Sequence, residues 1–171
     1  MRNEIIHNVG DLFDFLANNN LDDQMHVVLH SCNAQGVMGA GFAATIKNKF
    51  PNCFAAYLEG LSVNNSLSAR MGTFSAAKCT LNNNDFCVIN IIGQMYYGSD
   101  PNIRYTSYDA IDKSLKSIDE ILSSTDSEVV FHFPKIGSVR GGGSWDVISE
   151  IIKHRLNRNH YTLNLWELKN G

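Results

Sequence analysis

The sequence predicts an α/β fold in which a mixed sheet lies between two layers of helices. Three observations carry this. Apolar runs with strand character alternate with stretches of helical period along the chain. One pair of strands, joined through the turn-rich Asn82-Asn83-Asn84-Asp85, reads as a hairpin and so as an antiparallel step. And the apolar strand Val27-Val28-Leu29 runs straight into the glycine-bearing stretch His30 to Ala43, which continues as a helix. In open α/β sheets, ligands bind outside the carboxyl ends of the strands, so that junction is where a site is expected.

Taken in order, Glu4 to Val9 forms a first strand, closed by Gly10. Asp11 caps a helix from Leu12 to Asn18, whose Leu12, Phe13, Phe15 and Leu16 make a broad buried stripe. The second strand, Val27 to His30, is apolar in succession, as a strand covered on both faces would be. Phe42, Ile46 and Phe50 then repeat at i, i+4, i+8 until Pro51, which stops that helix and can open another carried by Phe54, Tyr57, Leu58 and Leu61. Met71 to Cys79 and Phe86 to Ile92 are the hairpin strands, and Gly93 to Pro101 is a loop. Ile111, Leu115, Ile118 and Leu122 place a helix over Tyr108 to Leu122. A strand from Glu128 to Phe133 leads into a second glycine-rich loop, Pro134 to Ser144; Ser144 caps a helix from Trp145 to Leu156, and Tyr161 to Leu168 is the last strand.

With 171 residues, 44% of them hydrophobic and 18% charged, the chain suits one soluble domain. It has no apolar run long enough to cross a membrane, and a cytoplasmic location is expected. Cys32, Cys53, Cys79 and Cys87 form no Cys-x-x-Cys pair and no zinc spacing, so they read as reduced thiols, with no metal expected. A net charge of −3 gives no basic field for broad nucleic-acid binding, and an anionic ligand would have to be met locally.

Both glycine-bearing loops follow a strand and precede a helix, which is how backbone N–H groups converge on phosphate oxygens. Gly39, Gly41 and Ala44 satisfy the dinucleotide pattern G-x-G-x-x-A, but nine residues separate Leu29 from Gly39, whereas that motif turns directly off its strand. Cys32, two residues from His30 on a strand, points the same way as the imidazole without implying activation.

Four blocks, Val9-Gly10-Asp11-Leu12-Phe13, Leu29 to Asn33 with Met38 to Ala43, Pro134-Lys135-Ile136-Gly137-Ser138, and Leu165-Trp166-Glu167-Leu168, resemble the macrodomain family in order and across nearly the whole chain. More narrowly they resemble its branch of ADP-ribose-1″-phosphate phosphatases and ADP-ribosyl-ester hydrolases. The resemblance implies a three-layer α/β/α fold with a mixed, mostly parallel sheet. It implies that Asp11 and Leu12 meet adenine, that Gly39, Ala40, Gly41 and Phe42 wrap the ribose and diphosphate, and that Ile136, Gly137, Ser138, Val139, Arg140 and Gly141 close the other side. Trp166, and Trp145 with it, would cover the ligand, though either aromatic suits the core equally well.

His30 would act on a terminal phosphate with Asp100 assisting, and Asn33 would orient the distal ribose. An imidazole suits the task because it exchanges protons near neutrality. The ester hydrolases of the branch use an aspartate where this chain has Gly141 and a lysine near where it has Gln94, which disfavours their covalent route here. The expectation is therefore a monomeric enzyme, needing no cofactor, that removes the 1″-phosphate from ADP-ribose 1″-phosphate. A non-catalytic reader of ADP-ribose and a hydrolase acting on ADP-ribosylated macromolecules are the alternatives.

Overall fold

A computed structural model describes residues 3–169. The first strand, β1 (Ile5–Val9), ends where Asp11 caps α1 (Leu12–Asn18) by accepting the N–H of Phe13 at 2.8 Å and, more weakly, that of Asp14. The next strand, β2 (Gln24–Asn33), is ten residues long and outruns its apolar centre at both ends. Pro51 divides the following helical segment as expected, into α2 (Gly41–Lys49) and α3 (Pro51–Ser62), the proline at the position where a missing N–H costs nothing.

A single turn, α4 (Leu67–Arg70), follows, which the residue pattern does not announce. The hairpin is β3 (Phe74–Leu81) and β4 (Asn84–Gln94), turning at Asn82 and Asn83, both at positive φ. Gly93 and Gln94, expected in a loop, thus belong to β4. The chain ends with α5 (Tyr108–Leu122), β5 (Glu128–Phe133), α6 (Trp145–Arg155, capped by Ser144) and β6 (Tyr161–Glu167).

The six strands form one sheet in the order β1-β6-β5-β2-β4-β3, parallel throughout except for β3 at the edge. Side-chain alternation on the central strands divides the core. Val27 and Leu29 of β2 and Phe131 and Phe133 of β5 pack under α5 and α6, against Ile111, Leu115, Ile148 and Ile152. Val28 points the opposite way, to the cluster of Phe13 and Leu16 from α1, Ile46 from α2 and Phe50 between α2 and α3. This is the mixed, mostly parallel, three-layer arrangement that the sequence predicts.

Parallel pairing of β2 with both β4 and β5 brings the carboxyl ends of these three strands to one edge, and with them the two glycine-bearing loops. Among the described residues no helix is long and apolar enough to cross a membrane.

Candidate functional site

A cleft of about 550 Å³ opens at that edge. Its floor is the end of β2, from His30 to Asn33, and its walls are Val37 and residues 39–43 from the first loop and residues 134–137 and 139–141 from the second, with Gln94 and Tyr97 to Ser99 completing the lining. Register explains why the polar end of β2 is held as strand: Ser31 and Cys32 pair with Ile91 and Ile92 of β4.

The first loop is fastened from below by Asn33. Its amide donates to Val37 O at 2.7 Å, and its Oδ1 accepts the N–H groups of Gln35 and Val37 and the hydroxyl of Tyr57. Tyr57 is fully buried and also receives the N–H of Gly36, while Arg70 reaches Ala34 O at 2.9 Å. The residue pattern places Tyr57 in the core stripe of α3 and gives Arg70 no role, because a residue that supports a loop leaves no local pattern.

The second loop is fastened by a segment that the sequence also left unremarked. Thr106 is buried, and its hydroxyl donates to Gly137 O at 2.7 Å. The N–H groups of Tyr105 and Thr106 both reach Gly141 O. Gly137 sits at φ +70, a conformation that L side chains rarely adopt. Gly141 needs its missing side chain for another reason: a Cβ there would meet the Thr106 hydroxyl oxygen and lie 2.7 Å from Gly137 O. Gly141→Ala is therefore expected to lower stability by about 2 kcal/mol through overpacking, read from denaturant unfolding.

The electrostatics of the cleft differ from those of the chain. Its lining includes Lys135 and Arg140 and no aspartate or glutamate, within a protein of net charge −3. Lys135 is drawn toward Glu167, 3.5 Å away, and Arg140 crosses the cleft to lie beside Gly41. Asp11, Ser66, Ser107 and Ser144 cap α1, α4, α5 and α6 with side-chain oxygens, whereas Ala40 leaves the start of α2 uncapped at the cleft wall. First-turn N–H groups and the positive end of the helix dipole are thus available to an anion. Ser31 adds a buried hydroxyl without a hydrogen-bond partner, on a residue that lines the cleft.

His30 lies at the floor, 2% exposed, with Phe42 packed against its ring at 5.6 Å between centroids. Its Nε2 is 2.6 Å from Asn90 Oδ1, and Cys32 Sγ is 3.7 Å from Nδ1 and 3.6 Å from Nε2. A sulfur so nearly equidistant from both nitrogens lies off the axis of either N–H. Burial works against a charge on the ring, but the sulfur of Cys32, with Cys53 and Asn90 beside it, outweighs burial and raises the pKa to about 10.

Of the residues that the sequence singled out, His30, Asn33, Gly39, Ala40, Gly41, Phe42, Ile136, Gly137, Val139, Arg140 and Gly141 line this cleft together. Asp100 does not: its neighbour Ser99 does, while the Asp100 carboxylate turns back to accept the N–H of Asn102 at 2.9 Å. Ser138 also stands outside the lining, its hydroxyl bonded to Lys135 O. Leu12 is in the core beneath α1, and Asp11 is exposed with Oδ1 engaged as the helix cap.

Neither tryptophan is among the residues that line the cleft. Trp166 donates its indole N–H to His132 Nδ1 at 2.9 Å and packs on Phe15, and Trp145 packs against Phe133. Among the described residues no three His, Cys, Asp or Glu side chains gather where they could hold a metal ion.

Comparison with known proteins adds relatives of low identity. No family model matches the chain. An ADP-ribose 1″-phosphate phosphatase of Debaryomyces hansenii is 24% identical over 169 aligned residues, covering 88% of this chain and 93% of that protein. The macrodomain of Mycobacterium tuberculosis DarG superposes with a TM-score of 0.71 at 18% identity, over 96% of this chain and 97% of its own. Thermosipho africanus DarTG, solved in complex with ADP-ribose, gives 0.70 at 16% identity, over 98% of this chain and 43% of its own.

Proposed function

We propose, starting from the macrodomain fold that this chain has, that its cleft binds ADP-ribose and that the protein releases phosphate from ADP-ribose 1″-phosphate. One observation carries the binding: a glycine-walled cleft, lined by Lys135 and Arg140 and no carboxylate, at the uncapped start of α2. That combination suits a diphosphate, held by backbone N–H groups from both loops with Arg140 and Lys135 balancing its charge. The ADP-ribose bound by the Thermosipho structure and the activity named for the Debaryomyces relative support the same ligand.

The phosphatase reading rests on His30. With a raised pKa the ring rests protonated at neutral pH, suited to hold a phosphate oxygen and to hand its proton to the departing 1″-oxygen. Water attacks phosphorus, the bond to the sugar oxygen breaks, and the products are ADP-ribose and inorganic phosphate. Gly141 also argues for this reading over an ester hydrolase that places a carboxylate there, since no side chain fits at that position without displacing Thr106 or Gly137.

Isothermal calorimetry with ADP-ribose and a phosphate-release assay with ADP-ribose 1″-phosphate test the two halves separately. Binding with turnover is expected; binding alone would make the protein a reader, and no binding would remove the proposal.

A further inference from the structure

We infer that Asn90 is a positioning residue that keeps a proton on Nε2 of His30, so that Nδ1 is the nitrogen whose proton moves in the reaction. The inference deepens the phosphatase reading and rests on it for the role of His30, but the assignment of the nitrogens stands on geometry.

Asn90 is fully buried on β4, directly across the ladder from His30 on β2. Its amide nitrogen donates to the backbone oxygen of Cys53 at 3.3 Å and to Ser75 Oγ at 3.1 Å. A backbone oxygen can only accept, so turning the amide over would set two oxygens against each other; the NH₂ end must face Cys53. The other end, Oδ1, then faces His30 Nε2 at 2.6 Å and also receives the Cys53 thiol at 3.3 Å.

Oδ1 carries no hydrogen, and the nitrogen opposite it must therefore hold one, whether the ring is neutral or charged. What remains for proton transfer is Nδ1, whose nearest polar neighbour is the off-axis sulfur of Cys32. The arrangement has the logic of a triad, in which a third group sets the tautomer of the histidine that does the chemistry. Here that group is an amide, which fixes the tautomer without adding a negative charge beside an anionic substrate.

The test is a pH titration of ¹⁵N-labelled protein followed through the two ring nitrogens of His30. As pH rises, Nδ1 is expected to lose its proton while Nε2 keeps its own. Asn90→Asp retains an oxygen in place and is expected to preserve this order and to raise the pH at which Nδ1 titrates. Asn90→Leu removes the acceptor and is expected to let both neutral tautomers appear and to lower kcat about 10²-fold, with KM little changed.

Loss of the Nε2 proton first in the wild-type protein, or an Asn90→Leu protein with unchanged tautomer and kcat, would overturn the inference. Should Asn90→Leu not fold, the wild-type titration and Asn90→Asp still decide it. A wild-type protein that keeps Nε2–H yet releases no phosphate would support the nitrogen assignment and remove the phosphatase reading alone.

Discussion

His30→Ala is expected to reduce phosphate release from ADP-ribose 1″-phosphate by at least about 10²-fold, the usual scale for losing a positioned proton donor. Affinity for ADP-ribose should change far less, because the proposed binding mode gives the diphosphate to the loops and not to the ring. A phosphate assay and calorimetry on the same preparation read the two effects. The substitution also leaves Asn90 Oδ1 with only the Cys53 thiol as donor, so a loss of about 1–3 kcal/mol in stability is expected alongside, and folding should be checked by unfolding curves. Asp100→Ala is the useful contrast. With its carboxylate turned to Asn102 instead of the cleft, it should leave turnover within a few-fold of wild type.

Acid should weaken the fold through a pair of histidines, His26 and His132, on the α1 side of the sheet. The indole N–H of Trp166 donates to His132 Nδ1, so His132 carries its own proton on Nε2 and donates it to His26 Nδ1 at 2.8 Å. His26 is then left with a buried Nε2 that meets no partner. A chain of neutral rings has no place for an added proton. Burial, and then the nearness of His26, push the pKa of His132 down to about 3, and burial lowers that of His26.

Below pH 6.5 the unfolded chain binds a proton at His132 that the folded chain refuses, so stability is full above that pH and drains away as pH falls toward 3. By pH 4 the loss from this residue is about 3 kcal/mol. Asp112 and Asp119, held below the usual carboxylate range chiefly by hydrogen bonds from Arg155 and Arg158, add to the loss at lower pH. Denaturant unfolding of wild type and His132→Leu at pH 7 and pH 4 measures it: the variant's stability should depend on pH far less. An equal drop in both proteins would show that the histidine pair is not responsible.

Much of this molecule could be read from residue order because local and long-range preferences agree. The bounds of α5 and β5 follow from strong periodicity and clear breaks, and the Asp11 and Ser144 caps behave as their neighbours predict. The reading fell short where tertiary pairing overrides local character. The strand expected to stop at His30 runs on through Ser31-Cys32-Asn33, residues of loop character that the ladder to β4 holds as strand. Residues 105–106, Tyr57 and Arg70 support loops far away in sequence, and no spacing announces that. Asp100 failed to reach the cleft for a similar reason: the path of a loop around Pro101 is set by its own turn and by Tyr105, which contacts the Asp100 N–H, rather than by its distance from a strand end.

The reach of Arg140 across to Gly41 has a kinetic side. With that arm beside the opposite wall, a ligand entering between the loops would have to displace it, and Arg140→Met is expected to hasten both entry and release, read from stopped-flow exchange, while the charge it removes weakens binding.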